Sequence, residues 1–212
     1  MSWSGFIRPA QRRFRRSRAE LIKSIHPEIE GSLVVDLGGS LTFWREVKDI
    51  LRPGKVIIYN ISQTRMDMGL TNSEGNIEAH LYDGKRVPLE EGSADYVLCN
   101  SVIEHVPPDL RANLAQEIRR VGKHYVVQTP STAFPLELHF GLPFIHWLPR
   151  PVARKLVPLS PFAMLGRGKV NAPAYFDETK LLPRKELQAY FPNATIHTER
   201  FAGMPKSNVA VA

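Results

Sequence analysis

Leu33-Val34-Val35-Asp36-Leu37-Gly38-Gly39-Ser40 is the stretch on which the reading of this chain turns. A short apolar run ends at an acid, and the chain then turns on two glycines. The following segment, Leu41 to Leu51, reads as a helix. A buried strand that breaks into a glycine turn and then a helix is how α/β folds build a small-molecule site. Backbone N–H groups stand exposed in such a turn, and no side chain blocks close approach. Alone, the stretch admits any nucleotide cofactor, a dinucleotide included.

Downstream, the pattern repeats. Arg52-Pro53-Gly54 is a turn, and Lys55–Ile61 reads as a second strand. Residues 62–75 are polar and read as loop with a short helix at most. Asn76–Tyr82 is a third strand and ends at Asp83-Gly84. Ala94–Asn100 is a fourth, followed by a loop carrying Glu104 and His105. Pro107 and Pro108 precede Asp109, which is placed as the N-cap of a helix over 110–121. Lys123–Gln128 is a fifth strand. Strands alternating with helices at this spacing predict a doubly wound parallel sheet with helices on both faces. Right-handed crossovers then put the strand C-termini on one edge, where ligands bind. Asp36, Asn60, Asp83 and Asn100 all fall at or just past such ends.

Residues 130–175 change character. Phe134, Phe140, Phe144, Trp147 and Phe162 are interleaved with many prolines. The stretch is too long for a plain connection and too apolar for disorder. It reads as an ordered insertion over the strand edge, with one or two short helices, acting as a substrate lid. Lys180–Tyr190 is then a helix, and Ala194–Phe201 and Asn208–Val211 are strands. A final antiparallel pair completes a mixed seven-stranded, Rossmann-like sheet.

Upstream, residues 1–30 read as a basic amphipathic helix ended by His26-Pro27. The division is thus a basic N-terminal helix, 1–30, and one domain, 31–212. The 212 residues suffice for a full hydrophobic core. Net charge is +7, and much of the excess is local: six arginines lie between Arg8 and Arg18, with no acid before Glu20. The preferred reading of this helix is a solvated one packing over the fold's edge. A second reading is docking of residues 8–18 on anionic lipid headgroups. An organelle transit peptide also suits such a start, whereas a secretory signal's apolar core is missing. The single cysteine, Cys99, excludes an intrachain disulfide and a multi-cysteine zinc site. No metal is expected. A reducing, cytoplasmic setting is, with membrane association as an option.

With these landmarks in place, the chain resembles the class I S-adenosylmethionine-dependent methyltransferases, in particular the type 11 group. The resemblance spans about residues 33–128. It rests on the glycine stretch, Tyr59-Asn60, Asp83, and above all the run Leu89-Glu90-Glu91-Gly92-Ser93-Ala94-Asp95-Tyr96-Val97-Leu98-Cys99-Asn100-Ser101-Val102-Ile103-Glu104-His105-Val106. It implies S-adenosylmethionine as cofactor. Gly38, Gly39 and Ser40 would pass under its methionine part, and Asp36 would help hold its amino group. Asn60 would meet the ribose, Asp83 with Gly84 the adenine, and Asn100 and Ser101 the methionyl side. Two positions depart from the family: Ser40 stands where glycine is common, and Asn60 where an acid is common. An acid accepts from both ribose hydroxyls, whereas Asn has one acceptor oxygen and an NH2 donor.

The sulfonium is an activated methyl donor, so the protein's task is alignment and exclusion of water. A hydroxyl acceptor also gains from a general base. His105, Glu137 and His139 are the candidates, each with an ordinary structural role as the alternative. The segment Pro135-Leu136-Glu137-Leu138-His139-Phe140 resembles one found after strand five in some bacterial members, where it would face the acceptor. The expected activity is O-methyl transfer to a small-molecule or glycan/lipid-linked acceptor. A nucleic-acid methyltransferase using the arginine cluster is the competitor, as is a non-catalytic binding module suggested by Ser40 and Asn60. Nucleic acid finds little support: Asn100-Ser101-Val102-Ile103 is not the Pro-Pro-aromatic pattern of amino-methylating enzymes, and no zinc knuckle, RNP or GxxG signature appears.

Overall fold

The computed structural model describes residues 3–61, 75–165 and 171–212, with side chains from Pro9 onward. The segment expected to be a loop over 62–75 lies outside the described residues, except Gly75, and so does the Arg8 side chain. β1 (Leu33–Leu37), β2 (Lys55–Asn60), β3 (Ile77–Leu81), β4 (Ala94–Asn100) and β5 (Gly122–Pro130) are the parallel strands. β6 (Leu136–Glu137) and β7 (Leu142–Pro143) form a separate small hairpin. β8 (Thr195–Phe201) and β9 (Met204–Val211) are antiparallel and join the main sheet through β5. The order is β3-β2-β1-β4-β5-β9-β8, the expected mixed seven-stranded, doubly wound arrangement.

The apolar run of β1 follows from cover on both faces. Val34 packs with Val56, Ile58, Tyr96 and Leu98 beneath α1 (Trp3–Ile25) and α2 (Leu41–Leu51). Val35 and Leu37 pack on the other side with Val97, Ile118 and Leu187. The second face is covered by α3 (Arg111–Val121) and, later in the chain, by a helix over Arg184–Tyr190. Ala19 and Ile22 of α1 are each 1% exposed, so this helix is part of the core layer. Three of its arginines turn to acids of neighbouring elements. Arg15 pairs with Glu46 at 3.0 Å, Arg16 with Asp49 at 2.9 Å, and Arg18 with Glu199 at 2.7 Å.

After β7 come α4 (Arg150–Leu156), α5 (Pro161–Leu165) and α6 (Ala172–Glu178), three short helices among the described residues where one or two were expected. They enclose a small core of their own around Phe140, Ile145, Ala153, Val157 and Phe176. Other boundaries also shift. Asp109 is not an N-cap: it lies in a 3-10 turn, Pro108–Leu110, and Leu110 stands at the cap position without a side-chain bond. The helix expected from Lys180 is α7 (Arg184–Tyr190), because Pro183 fixes the φ from which it starts. β9 begins at Met204, four residues before the expected strand, since its tight turn with β8 keeps pairing to the end.

Candidate functional site

The strand order reverses between β1 and β4, which is where open α/β sheets bind ligands. There the loops after the two strands meet. Gly38 has φ +73, and a Cβ on it would stand 2.6 Å from Val102 Cγ2. Its N–H donates to the Tyr59 carbonyl at 2.8 Å, tying the turn to β2. Gly39 lies so close over the Asp36 carboxylate that a Cβ would overlap it. Sterics therefore require glycine at both positions, and at Gly38 the left-handed backbone requires it as well.

Asp36 is 1% exposed. One oxygen accepts from Trp44 Nε1 at 2.8 Å, and the other, Oδ1, has no hydrogen-bond partner among the described residues. Burial pushes this carboxyl up to about 7, with the Trp44 bond opposing the shift. A buried carboxylate oxygen left over beneath a glycine loop suits a cationic N–H donor. Ser40 caps α2: its Oγ accepts from the Phe43 N–H at 3.3 Å. Ser40→Ala should lower the melting stability by about 1 kcal/mol, and Ser40→Gly by only a few tenths. Asn60 is buried, and its Nδ2 donates to the Gly39 carbonyl at 2.9 Å. Its side chain thus holds the loop in place.

Asp83 lies two residues past β3 and turns back on its own loop. Its Oδ1 accepts from the N–H groups of Lys85, at 2.8 Å, and Arg86, at 3.1 Å. Those bonds hold its carboxyl below the usual range. Gly84 follows with φ +75. Asn100, at the end of β4, accepts a hydrogen bond from Arg18 Nη1 through Oδ1. Ser101 adopts φ +55, an unfavourable region for a non-glycine residue, and donates from Oγ to Gln128 Oε1 at 2.7 Å. Cys99 lies inside β4, and burial pushes its thiol up, so it stays protonated.

The three candidate acid–base residues come together, and a fourth residue, Glu104 from the loop after β4, joins them. His139 Nδ1 is 2.6 Å from Glu137 Oε1, and Glu137 Oε2 accepts from the Phe140 N–H at 3.0 Å. The rings of His139 and His105 meet edge to face at 4.9 Å, and His105 stacks on Tyr175. Glu104 is 0% exposed beside them, and burial raises its pKa. Burial opposes protonation of His139, but the bond and charge of Glu137 and the charge of Glu104 prevail and raise its pKa. The adjacent Glu104-His105 pair, followed by a second histidine just past strand five, was the available signal. Arg18 and Trp44 gave none, because their partners lie far away in sequence or inside the core.

Residues 39–125 match a family model described as Methyltransferase domain. No curated protein matches the sequence. Among solved structures, the chain is similar to an S-adenosylmethionine-dependent methyltransferase from Mesorhizobium loti. The TM-score is 0.58 at 15% identity, covering 91% of this chain and 96% of that one. It is also similar to magnesium protoporphyrin IX methyltransferase from Synechocystis PCC 6803 with bound SAH (TM-score 0.58, 13% identity, 97% and 84% covered). A methyltransferase from Archaeoglobus fulgidus gives TM-score 0.58 at 12% identity, with 93% of each chain covered. Residues 39–125 therefore match a methyltransferase domain, and the chain as a whole has the fold of these S-adenosylmethionine-dependent methyltransferases.

Proposed function

We propose that this protein transfers a methyl group from S-adenosylmethionine to an oxygen of a small-molecule or glycan/lipid-linked acceptor. The observation that carries the reading is the loop Gly38–Ser40 folded over Asp36, whose buried Oδ1 awaits a donor at the β1/β4 switch point. Gly38, Gly39 and Ser40 would hold the methionine part, Asp36 its ammonium group, Asp83 and Gly84 the adenine, and Asn100 and Ser101 the methionyl side. The bound cofactor supplies a methyl group on a positive sulfur, ready for displacement.

Asn60 serves this loop from below, with its amide on the Gly39 carbonyl. The acid common in the family would therefore not improve this chain. Asn60→Asp sets a carboxylate against a carbonyl, and we expect cofactor affinity to fall; titration calorimetry of the variant checks this. A gain in affinity would mean that the side chain reaches the ribose instead.

His105, Glu137 and His139 stand on the loop after β4 and the hairpin after β5, next to the strand ends. That position suits residues that manage an acceptor's proton. The insertion around them suits an apolar or lipid-linked acceptor: Phe144, Trp147, Leu159 and Met164 are each more than half exposed. Nucleic acid is disfavoured because Arg15, Arg16 and Arg18 are engaged by Glu46, Asp49 and Glu199. The test is transfer of labelled methyl from S-adenosylmethionine into fractionated cell extract. Label in the solvent-extractable or small-molecule fraction is expected. Label confined to nucleic acid would overturn the acceptor assignment.

A further inference from the structure

We propose that Glu104, His105 and His139 form a site for a divalent transition cation, zinc in the first instance. One potential ligand atom from each of the three lies within 4.8 Å of the others. Glu104 is fully buried. Its Oε2 accepts from Thr129 Oγ1 at 3.1 Å, while Oε1 has no hydrogen-bond partner among the described residues. That orphaned oxygen faces His139 Nε2 across 3.8 Å, too far for a hydrogen bond. Two donors on a tetrahedral zinc sit about 3.3 Å apart, so small side-chain rotations close the gap.

The surroundings support this assignment. His139 presents Nε2 because Glu137 holds Nδ1 at 2.6 Å, the carboxylate–histidine arrangement that orients metal-binding imidazoles. Glu137 is itself fixed by the Phe140 N–H, and His105 is stacked on Tyr175. Two imidazoles and one carboxylate suit zinc or a neighbouring transition ion better than magnesium or calcium, which favour oxygen alone. Three protein ligands also leave a coordination position for a small molecule, as catalytic zinc sites do. Counting cysteines in the sequence gave no hint of such a site, since it uses none. Its role in catalysis rests on the methyl-transfer reading: a cation beside the strand ends would hold an acceptor oxygen and make its hydroxyl more acidic. The site itself does not depend on that reading.

The test uses the full chain, stripped with chelator and titrated with zinc against a chromophoric competitor. S-adenosylhomocysteine binding is measured in parallel on every variant. Wild type should take up one equivalent of zinc. Glu104→Gln and His139→Ala should lose most of this affinity while still binding S-adenosylhomocysteine, which shows that they fold. Glu137→Gln removes no ligand and should weaken zinc by roughly 10–100-fold. The proposal is overturned if stripped wild type binds no more zinc than a His105→Ala/His139→Ala double variant. It is also overturned if Glu104→Gln and His139→Ala bind zinc like wild type. Zinc uptake without S-adenosylhomocysteine binding would leave the cation site standing and sink the methyl-transfer reading; the reverse pattern would do the opposite.

Discussion

Glu199→Ala should cost about 3–5 kcal/mol of folding stability, because it strands two buried cations. Glu199 takes a bidentate pair of bonds from Arg18, at 2.8 and 2.7 Å, and one from Ser207 Oγ at 2.5 Å. Lys206 Nζ lies 3.7 Å away, over the ring of Phe14. The Arg18, Glu199 and Lys206 side chains are only 6%, 12% and 8% exposed. Burial already pushes Lys206 down to about 8, with Glu199 opposing the shift. Removing the carboxylate leaves the buried Arg18 guanidinium without its carboxylate partner. Arg18 also bonds Asn100, so the loss reaches the end of β4. Urea denaturation checks the result, and a change within about 0.5 kcal/mol, as for an ordinary surface substitution, would contradict it.

Asp36→Asn should make the protein more stable at pH 8 and a poorer binder of cofactor. Burial pushes the folded carboxyl up to about 7, from an ordinary value of 3.8. Between those values the folded state holds a proton that the unfolded state has released, so stability falls as pH rises. The stability contributed by Asp36 is full below pH 4 and is lost as pH rises through 7. A shift of roughly three units corresponds to about 4 kcal/mol by pH 8. Comparing wild type with Asp36→Asn from pH 4 to 8 cancels the other groups, and the variant's advantage should open over that range. A donated ammonium bond favours the ionised form, so binding to wild type should release a proton near pH 6. The variant should bind roughly tenfold more weakly or worse, as for a lost charged hydrogen bond. Equal binding by the two proteins would mean that Asp36 serves only the loop.

The parts of the fold legible in sequence were those where local and global demands agree. β1, α2 and β4 lie where Leu33–Leu37, Leu41–Leu51 and Ala94–Asn100 were read. Each is a buried apolar run bounded by a turn or a cap. What failed was decided by distant contacts or by competing local chemistry. Asp109 looked like a helix cap, but the prolines before it set up a 3-10 turn. Arg15, Arg16 and Arg18 of α1 looked solvent-facing because Glu46, Asp49 and Glu199 are 30 or more residues away. The site was legible as positions along the strand ends. Side-chain direction was not: Asn60 turns to Gly39, Asn100 to Arg18, and Asp83 to its own loop. Glu104 became visible as a partner only when the hairpin after β5 brought His139 against it.

Calorimetric titration of the full chain with S-adenosylmethionine decides whether the loop Gly38–Ser40 over Asp36 is a cofactor site. One saturable site is expected, with a dissociation constant on the order of 1 μM to 1 mM, the range of enzyme KM values in general. Binding should be lost on Gly39→Val, whose side chain would fill the space of the Asp36 carboxylate. No heat at millimolar cofactor, from protein whose melting curve shows it folded, would contradict the account.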